Sequence, residues 1–185
     1  MARATQTDLA VLAVLSIEPM TGYAVRDAIR EHLGAFWSES FGQIYPALAR
    51  LRADGLLAAD SGDRNGSSVH RLTADGRARL VELMREDPTS APPRNGMLLR
   101  LFFGNVLGAE ACRALVSEAR ERATAMLENL GVARRETEAE SDDLPQKPYW
   151  LMTISAGEHT ARAAIAWADE TLTALGKIDG DDRLG

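Results

Sequence analysis

Four polar side chains within ten residues of this chain have the chemistry to contact nucleic acid. Gln43 and Tyr45 can hydrogen-bond to base edges or phosphates, and Arg50 and Arg52 can pair with phosphates. The same segment carries apolar residues at helical spacing, namely Ile44, Leu48 and Leu51. The sequence therefore predicts an amphipathic helix over about residues 42–54, whose outer face carries the four polar side chains. Such a face is typical of a helix that reads DNA.

Two shorter helices are predicted ahead of this segment, over residues 9–17 and 22–33. The first is almost wholly apolar, and Thr7 or Asp8 can serve as its N-cap. Thr21 is expected to cap the second helix, and Gly34 to end it as a C′ glycine. Residues 18–22 contain a proline and are predicted to form the turn between the two helices. The helix with the polar outer face is therefore the third of its domain.

A β-hairpin is predicted after the third helix. Its strands would cover residues 56–60 and 68–73, and the Asn65-Gly66 pair between them is a strong hairpin signal. A fourth helix, to about Glu86, follows. This order of elements is that of a winged helix-turn-helix, so residues 1–87 are predicted to be a DNA-binding domain with the hairpin as its wing. The wing would contribute further DNA contacts from Arg64, Asn65, Ser67, Ser68, His70 and Arg71.

Two of the candidate contacts also have a structural interpretation. Tyr23, at the start of the second helix, could reach a phosphate through its hydroxyl or pack in the core as an aromatic residue. Arg71 could contact DNA or form an ion pair with Asp60 or Asp75. The sequence leaves these alternatives open.

A proline-containing linker over residues 87–96 separates this domain from a helical one over residues 97–178. Long helices are predicted over residues 109–140 and 149–175, with a polar, proline-containing break between them. The last helix follows a seven-residue apolar repeat, in which Glu158 is the one polar member. The predicted fold is mainly α with a small β-hairpin, and it joins a winged helix-turn-helix domain to antiparallel long helices.

The apolar stripes of the two long helices need more partners than a lone helical hairpin provides. They could fold over the N-terminal domain, or they could pair with the same helices of a second chain. Because a DNA-reading helix needs a second copy to read enough base pairs, we expect a homodimer whose half-sites lie about one helical turn apart. Arginines and helix N-termini would fix the phosphates.

The net charge of −6 argues mildly against nucleic-acid binding, but the charge is unevenly distributed. Residues 41–81 hold six arginines against four aspartates, a local net charge of +2. The sequence contains no apolar stretch long enough to span a membrane, and its start lacks the apolar core of a signal peptide. The single cysteine, Cys112, excludes an internal disulfide and is expected to be buried. We therefore expect a cytoplasmic protein with no membrane partner.

Signs of enzyme chemistry are missing from the sequence. The three histidines lie far apart without metal-ligand spacing, at positions His32, His70 and His159. The chain has neither a glycine-rich phosphate loop nor a nucleophile motif. We therefore predict a protein that is not an enzyme and needs no metal or cofactor.

Five aromatic residues suggest a site for a flat ligand. Trp37, Phe102, Phe103, Trp150 and Trp167 could line a pocket for a small aromatic effector between subunits. The alternative is that they serve core or dimer packing.

Several segments form a combined motif. The N-terminal ones are residues 11–23 (VLAVLSIEPMTGY), 36–38 (FWS), 42–48 (GQIYPAL), Leu51, 54–56 (DGL) and 71–77 (RLTADGR). Together they resemble the PadR-like family of transcriptional regulators. Residues 98–104 (LLRLFFG), 149–151 (YWL) and 165–170 (IAWADE) resemble the helical dimerisation domain of that family's longer members.

The resemblance implies a homodimeric winged-helix regulator, most often a repressor, which in some members is released from DNA by small aromatic or drug-like compounds. By position, the recognition helix is the one with Gln43, Tyr45 and Arg50, and the wing holds residues 64–71. Family wings often carry two basic residues and two tyrosines where this chain has Ser67-Ser68-Val69-His70. Losing two cationic contacts weakens DNA binding and flattens its salt dependence.

Two other functions fit parts of the sequence. The acidic total charge and the serine-substituted wing are compatible with a winged-helix protein-interaction module that has lost DNA binding. The aromatic C-terminal region is compatible with a small-molecule binder or enzyme, although the sequence shows no paired catalytic groups.

Overall fold

The computed structural model describes residues 6–34, 37, 41–60, 68–87 and 95–182, without the side chains of His32, Phe41 and residues 179–182. The helices are α1 (Gln6–Leu15), α2 (Gly22–Ala28, continued by a π-helical turn, Ile29–Leu33), α3 (Phe41–Ala53), α4 (Ala74–Arg85), α5 (Gly96–Phe102), α6 (Gly104–Leu107), α7 (Ala109–Ala139) and α8 (Lys147–Asp182). The strands are β1 (Met20–Thr21), β2 (Leu57–Asp60) and β3 (Val69–Leu72). The chain divides into two compact units, Met1–Ser90 and Ala91–Gly185.

The core of the first unit forms around α1, which is apolar on nearly all sides. Val11 and Leu12 are fully buried, and α1 packs against α2, α3 and α4. The predicted apolar stripe of α3 lies in the same cluster, with Ile44, Leu48 and Leu51 all buried. Because a helix that is apolar all round must be surrounded, α3 is fixed with one face inward and the opposite face in solvent.

The N-terminal caps of the first two helices agree only in part with the sequence prediction. α1 begins at Gln6, so Thr7 and Asp8 lie buried in its first turn, and the prediction that either is the N-cap is wrong. Thr21 caps α2 as predicted, because its hydroxyl oxygen accepts a hydrogen bond from the Ala24 N–H at 3.2 Å. The two polar residues at the start of α1 are therefore available for tertiary contacts.

Two glycines end the second and third helices in different ways. The second helix ends at Leu33, before Gly34, as predicted, but Gly34 is right-handed, with φ of −57°, and so lacks the left-handed conformation typical of a C′ glycine. A Cβ at this position would lie 2.2 Å from the Arg30 carbonyl oxygen, which accounts for the glycine. Gly55 is left-handed, with φ of +73°, and the Leu56 N–H bonds to the Leu51 carbonyl at 2.9 Å. This bond closes α3 and turns the chain into β2.

The predicted hairpin strands belong to a three-stranded antiparallel sheet of order β1-β3-β2. β2 and β3 pair as predicted, with Leu57 opposite Leu72. β1 lies along the other edge of β3, with Met20 opposite His70, in a segment that was predicted to be a turn. Two residues are too few for alternation to reveal a strand. The hairpin tip, with the Asn65-Gly66 turn prediction, lies outside the described residues.

The start of α4 is anchored to the beginning of the wing. Thr73 caps α4 by accepting a hydrogen bond from the Gly76 N–H at 3.0 Å. The Thr73 hydroxyl also lies 3.0 Å from the Leu56 carbonyl oxygen. A Cβ at Gly76 would meet that carbonyl oxygen at 2.1 Å, so only glycine allows α4 to approach the wing this closely.

The second unit is dominated by α7 and α8, which run antiparallel. Arg120 on α7 pairs with Asp169 on α8, and Arg134 pairs with Glu158, so residue numbers rise on one helix as they fall on the other. α7 ends one residue before its predicted end, whereas α8 begins two residues before and ends seven residues after its predicted bounds. The helices share a buried cluster of Cys112, Val116, Ala168 and Leu175.

Candidate nucleic-acid interface

The outward surface of α3 is a ridge of small residues between two polar edges. The ridge consists of exposed residues at helical spacing: Gly42, Pro46, Ala49 and Ala53. Tyr45 and Arg52, two turns apart, lie along one edge. Gln43 and Arg50, also two turns apart, lie along the other. The sequence predicted a single polar face, whereas the structure has two polar edges separated by this line of small residues.

The Tyr45 edge packs against the start of α2. Tyr45 is 52% exposed, and its ring lies so close to Gly22 that a Cβ on Gly22 would meet the ring atom Cε1 at 2.9 Å. Arg52, further along the same edge, is also exposed. The missing side chain at Gly22 therefore sets how closely α2 approaches α3 and where the Tyr45 ring lies.

The Gln43 edge is held by the first turn of α1. The Thr7 hydroxyl donates a hydrogen bond to Gln43 Oε1 at 3.2 Å. The Arg50 guanidinium donates to the Asp8 carboxylate, and the Asp8 side chain is only 5% exposed. Arg50, which was predicted as a phosphate contact, therefore also neutralises a buried acid.

Three further residues, Thr7, Asp8 and Gly22, shape this surface and were not predicted to do so from the sequence. The signal for Asp8 was an acidic residue at the edge of an almost wholly apolar helix. Nothing in the spacing indicated its partner, because Arg50 lies 42 positions away. Gly22 was assigned to the turn and the helix start, and only the tertiary structure shows its contact with Tyr45.

Tyr23 lies on α2, which packs against α3. It is 60% exposed, so the alternative that it is a core aromatic residue is wrong. The Arg26 guanidinium lies over the Tyr23 ring, 4.2 Å from the centroid. A hydrogen bond to Asp27 raises the pKa of Arg26 above its ordinary value. A phenol hydroxyl and a permanent cation thus stand together on the surface of α2.

The wing residues that were predicted to contact DNA lie in different environments where the structure describes them. His70 lies in the middle strand and is half-buried, and among the described residues its Nδ1 has no hydrogen-bond partner. Burial lowers the pKa of His70, and the charge of Arg52 lowers it further. Ser68 is half-buried just before β3, while Arg64, Asn65 and Ser67 lie outside the described residues.

Arg71 forms one of the ion pairs considered from the sequence. Its guanidinium donates two hydrogen bonds to the Asp60 carboxylate, at 2.7 and 2.9 Å. Both side chains are exposed, so the pair lies on the surface of the wing and joins β3 to β2. The Asp60 alternative for Arg71 is therefore confirmed.

The five aromatic residues proposed for an effector pocket divide between the two units. Trp37 packs against the core of the first unit, and Trp167 packs against the Cys112 cluster of the second. Phe102 and Phe103 make an edge-to-face contact at 5.1 Å between ring centroids, and Phe102 is 81% exposed. Trp150 is half-buried on α8. Trp37 and Trp167 thus take the packing role that was the alternative interpretation.

Two structural features are absent from the residues that the structure describes. Among those residues, no group of three or more His, Cys, Asp or Glu side chains is placed to hold a metal ion. Over the same ranges, no helix combines the length and apolar character needed to cross a membrane.

The described part of the first unit has four helices, α1 to α4, and a three-stranded sheet, which together define a winged helix-turn-helix fold. Two long antiparallel helices dominate the second unit. Residues 11–82 match the PadR-like family of transcriptional regulators, and residues 93–176 match the family described as virulence activator alpha C-term. The chain therefore resembles the PadR-like regulators that carry this helical C-terminal domain.

Several characterised proteins are similar over most of their length. The negative transcriptional regulator PadR of Bacillus subtilis (strain 168) is 23% identical over 176 residues, which cover 91% of this chain and 96% of that protein. The crystal structure of B. subtilis PadR in complex with operator DNA has a TM-score of 0.75 at 22% identity and is matched over 91% of this chain and 98% of that one. The virulence activator AphA of Vibrio cholerae has a TM-score of 0.74 at 24% identity, covering 94% and 99%.

Proposed function

We propose that this protein is a homodimeric, sequence-specific DNA-binding regulator that inserts α3 of each subunit into the major groove of an operator. The observation that best supports this proposal is the outward surface of α3. Its small ridge lets the helix backbone approach the groove floor closely, and alanine methyls such as that of Ala49 suit contacts with thymine methyls. Tyr45 and Gln43, on opposite edges of the ridge, supply hydrogen-bonding groups toward base edges and phosphates.

Phosphate contacts would come from the groups that surround α3. Arg52 is an exposed cation on the Tyr45 edge, and the Tyr23 hydroxyl and Arg26 guanidinium stand together on α2. The wing residues 64–71 would add contacts beside the groove. Residues 1–87 therefore act as the DNA-binding domain in this proposal, and work on chromosomal DNA implies a cytoplasmic protein.

The second unit would hold the dimer together, with residues 97–178 as the dimerisation domain. The short helices α5 and α6 expose large apolar side chains close together in sequence: Leu98, Leu99, Phe102, Phe103, Val106 and Leu107. Exposed apolar surface of this density is typical of a protein interface. A two-fold dimer would present two copies of α3 to half-sites about one helical turn apart.

Repression relieved by a small aromatic compound is the form of regulation that we propose. The B. subtilis relative is named a negative regulator, and it has been crystallised with p-coumaric acid. Phe102, Phe103 and Trp150 supply aromatic surface in the second unit of this chain. An effector bound there would shift the dimer between spacings of the two α3 helices that fit or miss the operator.

An electrophoretic mobility shift with the upstream region of the protein's own gene tests the proposal. We expect a discrete complex at low and at moderate salt, and no such complex with an unrelated fragment of equal length. Failure to shift any promoter fragment at low salt would contradict it. That result would instead favour a winged-helix protein-interaction module, which the net charge of −6 and the half-buried His70 of the wing also fit.

A further inference from the structure

We propose that Thr7 and Asp8 are positioning residues that set DNA sequence selectivity by fixing the side chains of Gln43 and Arg50. This inference rests on the proposed function, because it assigns a role within the DNA-reading surface. The inference is based on two contacts between α1 and α3. Two adjacent residues in the first turn of α1 bond to the two residues of one edge of α3, Thr7 to Gln43 and Asp8 to Arg50. Neither α1 residue needs to touch DNA for this effect.

The Thr7 hydrogen bond restricts how Gln43 can read a base. A glutamine amide with both ends available pairs with adenine through one donor and one acceptor. Here the hydroxyl of Thr7, a residue only 4% exposed, donates to Gln43 Oε1 and turns the amide N–H groups away from α1. An amide held in this way favours acceptors on the base edge, such as guanine O6 and N7 or thymine O4. Thr7 therefore biases the base preference at the Gln43 position.

The Asp8–Arg50 ion pair is placed where two helix ends support it. Asp8 lies in the first turn of α1, where the helix dipole favours an anion, and Arg50 lies in the last turn of α3, where it favours a cation. The nearly buried Asp8 carboxylate fixes the direction from which the Arg50 guanidinium can approach a DNA backbone. A change at Asp8 would therefore alter the register of the protein on its DNA site, because the Arg50 guanidinium would approach the backbone from another direction.

The test compares sequence selectivity, which a purely structural role of Thr7 leaves unchanged. The wild-type protein first selects its preferred site from a random duplex library. Dissociation constants are then measured for that site and for each of its single-base variants, with wild type, Thr7→Val, Thr7→Ser and Gln43→Ala. Ser16→Ala is the matched control, because it also removes a half-buried hydroxyl, one that lies just after the end of α1 and donates to the Ala13 carbonyl.

We expect Thr7→Val to lose discrimination by about threefold to tenfold, the size of one net hydrogen bond, at the base pair whose readout Gln43→Ala also abolishes. Thr7→Ser keeps the donor and should restore the wild-type ratio, and Ser16→Ala should retain it. Asp8→Asn should shift the preference at positions that neither Thr7→Val nor Gln43→Ala affects. In the free protein, Thr7→Val should also move the NMR signals of the Gln43 side-chain amide.

Two results separate the failure of this inference from that of the proposed function. A wild-type protein that selects a site, together with a Thr7→Val variant of equal selectivity, would overturn the inference alone. The same holds if Thr7→Val weakens binding to all sequences equally. A wild-type protein that enriches no sequence would overturn the proposed function, and the selectivity role of Thr7 and Asp8 with it.

Discussion

Glu158 on α8 accepts two hydrogen bonds from the Arg134 guanidinium on α7, at 2.8 and 3.1 Å. Arg162, one turn along α8, adds a third at 3.2 Å. Glu158 is the one polar member of the apolar repeat, and its side chain is 9% exposed. An acidic group in that position is stable only with these partners, so the pair ties the α7–α8 packing to one register.

Removing this charge should loosen the helical pair. We expect Glu158→Gln to lower the thermal midpoint of unfolding, because the nearly buried contact to Arg134 loses its charge-assisted hydrogen bonds. Glu118→Gln is the matched control, since Glu118 pairs with Arg122 on the exposed side of α7. Thermal melts followed by circular dichroism measure both variants, and equal midpoints for the two would contradict this role of Glu158.

The stabilisation by Glu158 should also depend on pH. Hydrogen bonds from Arg134 hold the pKa of Glu158 below its ordinary value of 4.5, although burial opposes them. A carboxyl with a depressed folded pKa stabilises the fold above its unfolded pKa, and this contribution is lost as the pH falls through the folded value. The difference in melting temperature between wild type and Glu158→Gln should therefore be constant near neutral pH and shrink below about pH 4.5. A difference that grows on acidification would be inconsistent with this pairing.

His70 should make the first unit sensitive to mild acid. Burial, followed by the charge of Arg52, lowers the pKa of His70 from its ordinary value of 6.5, so the unfolded chain takes up a proton more readily than the folded one. Stability therefore falls as the pH drops below 6.5. We expect His70→Phe to reduce the loss of melting temperature between pH 7.5 and pH 5.5, as assayed by calorimetry. His159→Asn, at an exposed position on α8, is the control and should behave as wild type.

A methyl group on Gly22 should disturb the outward surface of α3. Gly22→Ala places a Cβ at 2.9 Å from Tyr45 Cε1, so the Tyr45 ring or α2 must shift, and we expect weaker operator binding. Gly176→Ala, on α8, is the contrasting control, because a Cβ at that position would have no neighbouring group within 4 Å. That variant should bind normally and gain about 0.5–1 kcal/mol of helix stability. Normal operator affinity in Gly22→Ala would show that the ring position is unimportant.

The exposed aromatic pair of α5 and the residue after it provides a test of the dimer. Phe102→Asp puts a charge into the proposed interface, where a desolvated carboxylate has no prepared partner, so the mass measured by light scattering should fall from dimer to monomer. Met84→Asp, an equally drastic change at an exposed apolar residue of α4, should remain dimeric. A wild-type protein that is monomeric at micromolar concentration would refute the dimer itself.

Strong local signals made most of the fold predictable from the sequence. The α7 stripe predicted a helix over residues 109–140, and the structure has Ala109–Ala139. Thr73 and Thr21 cap the helices that were expected to follow them. β1 was missed because a two-residue strand carries no alternation, and its pairing with β3 exists only in the tertiary structure.

The residues on the outward surface of α3 were predictable from the sequence, but their arrangement was not. Helical spacing placed Tyr45 and Gln43 outside the core, yet it assigned them to one polar face. Their separation onto two edges depends on which neighbouring helix each edge meets, α2 through Gly22 or α1 through Thr7. Such contacts join residues distant in sequence, and no local pattern encodes them.

The most direct test of the central claim is a titration of operator DNA with wild type, Arg52→Ala and Tyr45→Ala at several salt concentrations. We expect Arg52→Ala to weaken binding on all sequences and to reduce the salt slope by about one, and Tyr45→Ala to weaken binding to the preferred site. Arg122→Ala, which removes an exposed arginine of α7 paired with Glu118, should match wild type. Equal affinities for all four proteins would contradict the assignment of α3 as the DNA-reading helix.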